Sequence, residues 1–284
     1  MKLFFKAIAP TIIKATKTLK QNLLKVFASV QCASLALLLM LSLLFVPNAT
    51  AQNPTMTPRQ VVEYALTLEK LEADFYRRAN SAVQNEAVFG LPSTARAALT
   101  AYGQDEAQHV TDLSAVLRSL GGNPDAVMIP TNPNYKAILG RDPFANPTDL
   151  LLAAQYIEDL GVAAYKGQVP NLQAAGDAGK TVLAGALGIH SVEARHAAGI
   201  RELRQSLLNV NVRPWIKDPT EVIYNENRGD DPIPFSSEAF DGYATSDEVL
   251  ALVRPILTEA QPAMTEPMPS TEPSTPQAPV RGLW

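Results

Sequence analysis

Only three histidines occur in this 284-residue chain, and two of them stand three residues after a glutamate: His109 after Glu106, and His196 after Glu193. Both pairs lie in long stretches that pattern as helix. Residues three apart on a helix share a face, so each pair aims one carboxylate and one imidazole at the same point. Glutamate is 15 of the 284 residues, and composition alone would place two of three histidines in this spacing in roughly 1 in 100 chains. One such pair is commonly a surface contact; the repetition carries the signal. Two Glu-x-x-His helices need one Glu from each of two further helices to complete a dinuclear carboxylate centre in a four-helix bundle. The rest of the chain must supply those two helices.

The patterning meets that demand. A first helix is predicted from Thr57-Pro58, a cap followed by proline at the first helical position, to about Gln84. A second runs from about Ser93 to Leu120 and stops at Gly121-Gly122. A third starts at Pro147-Thr148-Asp149 and runs to about Lys166, and a fourth spans about Asp177 to Asn209. Short connections make helices one and two, and three and four, antiparallel neighbours. The Pro- and Asn-rich stretch from Gly122 to Pro147 is one long crossover. The predicted fold class is therefore all-α, a four-helix bundle with one long crossover.

On a helical wheel, Val62, Ala65, Leu66, Ala73 and Tyr76 surround Glu69, with the charged residues opposite. Glu72 lies about 60° away inside the same face. Glu158 sits likewise among Leu151, Ala154, Gly161, Val162 and Tyr165. Buried acids are rare unless paired or metal-bound. The spacing Glu-x6-Tyr occurs in both helices, Glu69 with Tyr76 and Glu158 with Tyr165, 89 residues apart, while the Glu-x-x-His pairs are 87 apart. The pattern is that of two helical hairpins of one design. The predicted ligands are Glu69, Glu106, His109, Glu158, Glu193 and His196, with Glu72 as the alternative to Glu69. Four carboxylates and two imidazoles suit two Fe or Mn ions.

Supporting residues follow from the same faces. Asp105 precedes Glu106 and is placed to orient His196 across the bundle; Val192 occupies the equivalent position before Glu193, so His109 needs another acceptor. Tyr76 and Tyr165 serve either as core residues or as phenols hydrogen-bonded to ligand carboxylates. Tyr102 lies one turn before Glu106. His190, one turn before Glu193, is either an extra ligand or a hydrogen-bonded boundary histidine.

The flanks read differently. The first 51 residues carry six lysines and no acid, then an apolar run from Cys32 to Val46, Pro47, and Ala49-Thr50-Ala51 as a small-x-small cleavage site. This predicts a secretory signal peptide. The apolar core is short for a full span of about 20 residues, which argues against an uncleaved anchor. Cleavage would leave 18 basic against 28 acidic residues, a net charge of −10, and no cysteine. Such a chain is a poor partner for nucleic acid. It has no disulfide, no thiol nucleophile and no transmembrane segment after signal removal. The expected location is outside the cytoplasm: periplasm, cell envelope or extracellular. Residues 210–258 are predicted to form an irregular strap and a short helix capped at Ser246-Asp247-Glu248, and 259–284 a disordered Pro/Ser/Thr-rich tail.

Four segments carry a family resemblance: Glu69-Lys70-Leu71-Glu72-Ala73-Asp74-Phe75-Tyr76, Asp105-Glu106-x-x-His109, Glu158-Asp159-x-Gly161-x-x-Ala164-Tyr165, and Val192-Glu193-Ala194-Arg195-His196-Ala197-Ala198. Together they resemble the bacterial ferritin-like family that includes plant desiccation-related proteins, over about Thr57 to Asn209. The resemblance implies a ferritin-like bundle and maps the superfamily's ligands onto the six positions above. The functions it implies are Fe(II) oxidation or peroxide consumption in stress defence, with O2 or peroxide as the partner. The alternative is a non-catalytic stress-protection (desiccation-related) or envelope structural role. A homo-oligomer is compatible with either.

Overall fold

The structure, a computed structural model, describes residues 56–226 and 241–259. The expected signal peptide, residues 227–240 of the strap and residues 260–284 of the tail lie outside the described residues. Among those described, the chain forms no strand, and no helix is long and apolar enough to cross a membrane.

Four long helices dominate: α1 (Pro58–Gln84), α2 (Ser93–Ser119), then, after the four-residue α3 (Lys136–Leu139), α4 (Pro147–Ala174) and α5 (Asp177–Leu208). Their starts follow from capping chemistry. Thr57 accepts from the Gln60 backbone N–H while the Gln60 side chain accepts from the Thr57 N–H. Asn146 accepts from the Asp149 N–H, with Pro147 at the first helical position. Asn209 ends α5 in the left-handed region, and Gly121 follows α2 there.

The third helix continues two turns past the predicted end near Lys166. Pro170 lies inside it and forfeits one backbone hydrogen bond. Buried Leu172 and Gln168 anchor the added turns, so burial outweighs the lost bond. The short C-terminal helix α6 (Ser246–Val253) is capped one residue earlier than expected, by Thr245 in a capping box with Glu248.

Packing is densest within the α1–α2 and α4–α5 hairpins and sparse between α2 and α5. One core group gathers Phe75, Tyr76, Leu99, Leu150, Leu151 and Ile200. A second gathers Val62, Leu66, Leu113, Leu117, Val182 and Leu172. Along every long helix, the predicted ligands fall between members of these two groups. Each fully buried aliphatic side chain contributes about 1.5–3 kcal/mol, and this apolar material on both sides holds the polar middle in place. A third group seats the strap and α6 on α1 and α4, through Leu68, Leu160, Ile216, Tyr224, Val249 and Val253.

The strap also joins the bundle through polar contacts. Arg201 on α5, buried, donates to both oxygens of Asp159 on α4 (3.1 and 2.5 Å) and to Glu221 Oε2 (2.7 Å). Gln155 Nε2 donates to the Glu221 carbonyl at 3.0 Å. The crossover is pinned from the far end: Asn134 N–H donates to the Ile256 and Thr258 carbonyls, and Pro133 bridges Glu259, the first residue of the expected tail.

Candidate metal centre

The four helices bring all six predicted ligand residues into one buried site. Glu69, Glu106, Glu158 and Glu193 are 0% exposed, His196 3% and His109 7%. Two groups of candidate ligand atoms converge, each within 4.8 Å: Glu69, Glu106, His109 and Glu193, then Glu106, Glu158, Glu193 and His196. Glu106 and Glu193 belong to both. Glu106 presents Oε2 to His109 Nδ1 at 3.1 Å and Oε1 to His196 Nδ1 at 2.8 Å. The imidazole centroids lie 6.5 Å apart.

Proximity here is ion pairing without full hydrogen bonding. His196 Nδ1 lies 2.8 Å from Glu106 Oε1 and 3.5 Å from Glu158 Oε2, and His109 Nδ1 lies 3.2 Å from Glu193 Oε1, yet His196 Nδ1, Glu106 Oε1, Glu158 Oε2 and both oxygens of Glu193 make no well-aligned hydrogen bond. Buried polar atoms without partners each cost about 1–3 kcal/mol, more when charged. Atoms that crowd together while pointing past one another suit a common third partner. Carboxylate oxygens and imidazole nitrogens are the donor set for Fe or Mn, so the residues fit a pair of such ions.

The electrostatics favour cations. Burial pushes Glu69 up to about 7, with the charge of Glu106 adding and His109 opposing. Glu193 and Glu72 are raised well above the carboxylate range, by burial first and then by neighbouring carboxylates. Burial works against the charged form of His109, yet its close contacts with Glu106, Glu193 and Glu69 push it up to about 12. His196 rises to about 11 against burial, through Glu106 and Glu158. Glu106 alone among the site glutamates falls, to about 2, because its close contacts with both histidines and Glu69 outweigh its burial. Two metal cations can replace the two imidazolium charges, with release of protons.

The supporting residues divide. Tyr76 donates to Glu158 and Tyr165 donates to Glu69, so each hairpin's tyrosine holds the other hairpin's carboxylate. Asp105 Oδ2 lies 3.1 Å from His196 Nε2. Nothing among the described residues bonds His109 Nε2. The Tyr102 ring packs 4.4 Å from the His196 ring, and no hydrogen bond from it to a ligand residue is present among the described residues. His190 stands apart from both groups, with Nδ1 3.1 Å from the Val162 carbonyl.

A sequence model of the ferritin-like domain matches residues 58–206. The chain belongs to the ferritin-like family. No curated protein and no solved structure matches it.

Within this ferritin-like bundle, Glu72 is the residue that sequence alone left ambiguous. It is buried beside the site but outside both converging groups. The 89-residue offset that relates Glu69 to Glu158 relates Glu72 to Gly161. A Cβ on Gly161 would lie 3.1 Å from Glu72 Oε1 and 3.2 Å from Glu193 Oε2. The missing side chain on one hairpin makes room for the extra carboxylate of the other. The Asp159–Arg201 pair next to Glu158 was also missed. Its signal was a buried arginine on α5, five residues beyond His196.

Proposed function

We propose that this ferritin-like chain is exported and holds two Fe or Mn ions that react with O2 or peroxide. The convergence of six buried carboxylate and imidazole residues, several of whose atoms make no well-aligned hydrogen bond, supports the metal-holding part of this reading; the basic, then apolar N-terminal run with its small-x-small site supports export. Glu69 and His109 would hold one ion and Glu158 and His196 the other, and Glu106 and Glu193, which belong to both converging groups, would be available to either. Bound Fe or Mn supplies one-electron redox steps at each ion. The chain does the rest: it excludes bulk water with two apolar core groups, fixes Glu69 and Glu158 with the Tyr165 and Tyr76 hydroxyls, and orients His196 through Asp105.

Metal analysis of the purified chain tests this. The expected result is about two Fe or Mn per chain, with loss of both in Glu106→Ala/Glu193→Ala. Equal, negligible metal in the two proteins sinks the proposal. Parallel assays of peroxide disproportionation and Fe(II) oxidation then assign the reaction. Tight metal with neither activity selects the stress-protection reading instead.

A further inference from the structure

A cavity lies beside the centre and is not explained by it. It occupies about 600 Å³ between the C-terminal half of α2 and the N-terminal half of α5, where those helices pack sparsely. Val62, Leu113, Tyr165, Val182 and Gly185 line it, and His109 is part of its wall. The size is that of a small-molecule site.

His109 supplies the polar anchor. Its Nδ1 faces Glu69, Glu106 and Glu193, so its Nε2 lies on the far edge of the ring. No acceptor for Nε2 is present among the described residues, although the side chain is over nine-tenths buried. The other hairpin fills the equivalent need with Asp105; here that position is Val192, also on the cavity wall. With no protein acceptor, His109 Nε2 stays open to the cavity as a hydrogen-bond donor for a molecule seated there.

We propose that this cavity binds a neutral, elongated, largely apolar molecule whose terminal carbonyl or hydroxyl oxygen accepts a hydrogen bond from His109 Nε2. The apolar walls take the chain. An anionic head is disfavoured by the carboxylates behind His109 and by Asp112 and Asp177 among the cavity residues. The site does not depend on metal, because His109 uses its other nitrogen toward the centre. A molecule seated there lies one imidazole ring from the carboxylate cluster, so the centre senses its binding.

The test uses the full chain, metal-free and metal-loaded, with 2-decanone as the probe and decanoate as its anionic counterpart. Isothermal titration should show saturable 1:1 binding of 2-decanone in both forms, with decanoate weaker by about tenfold or more. Nitrogen NMR should show the His109 Nε2 resonance moving on addition of the ketone. Gly185→Leu should abolish binding. A Cβ at Gly185 meets nothing within 4 Å, and leucine favours the helix, so this variant should melt no lower than the parent. Absence of saturable binding overturns the proposal, as does binding that leaves His109 and Gly185→Leu indifferent. A dimer that dissociates in Gly185→Leu would also overturn it, by assigning the face to a second copy. Metal content is measured on the same samples, so failure of the cavity is separable from failure of the metal centre.

Discussion

The two hairpins of the bundle carry the same set of residues in the same order, yet they are not equivalent. Each gives a Glu-x6-Tyr and a Glu-x-x-His, and each tyrosine crosses to the partner hairpin's glutamate. They diverge at two places. Glu72 on α1 faces Gly161 on α4, and Asp105 on α2 corresponds to Val192 on α5. The shared residues build a centre that could serve two ions alike. The divergent ones load a fifth carboxylate onto one side and leave the outer nitrogen of His109 without an acceptor among the described residues. Duplication thus accounts for the ligand set, and the departures from it account for the asymmetry around the ligands.

The strongest way to break this comparison is to disturb the Glu72–Gly161 complementarity. Gly161→Glu should place a second carboxylate where there is room for one, and cost about 3 kcal/mol or more through overpacking and buried like charge. Thermal denaturation and metal content read this directly. If the two positions are complementary, adding Glu72→Gly to that variant should recover much of both. A double variant as poor as the single one would show that they are independent.

A smaller effect is expected at the outer nitrogens. Asp105→Asn should weaken metal binding by about 10- to 100-fold, whereas Val192→Asp should strengthen it several-fold at most, by giving His109 the acceptor that His196 has. Competitive chelator titrations measure both. An unchanged affinity in Asp105→Asn would remove the orienting role.

The smallest effect concerns pH in the metal-free protein. Folding raises Glu69 from the ordinary carboxylate range to about 7, so the folded state holds a proton that the unfolded state has lost. Its contribution to stability is present below about pH 4.5 and is lost as pH rises to about 7. Glu69→Gln should flatten the fall in melting temperature across that window. An unaltered slope would mean that another group carries it.

Much of the architecture was legible because the local signals were chemical: Thr57 as a cap, Pro58 and Pro147 at helix starts, and carboxylates inside apolar faces. The ligand positions were legible because the hairpin repeats, which turns one weak spacing into two linked ones. What escaped depends on residues distant in sequence. The place of Glu72 depends on an absent side chain 89 residues away. The cavity at His109 is a gap between helices that are not neighbours in the chain. The buried Asp159–Arg201–Glu221 network joins three elements, one of them irregular. The α4 extension past Pro170 was hidden because a proline reads as a stop unless burial beyond it is known.

The central claim is that Glu106 and Glu193 lie between two metal positions. Anomalous diffraction from crystals grown with Mn(II) or Fe(II), recorded at the metal edge, tests it most directly. Two peaks per chain are predicted, one beside Glu69 and His109 and one beside Glu158 and His196, with Glu106 and Glu193 in contact with both. An empty cluster, with metal only at surface acids such as Asp177, would contradict the account.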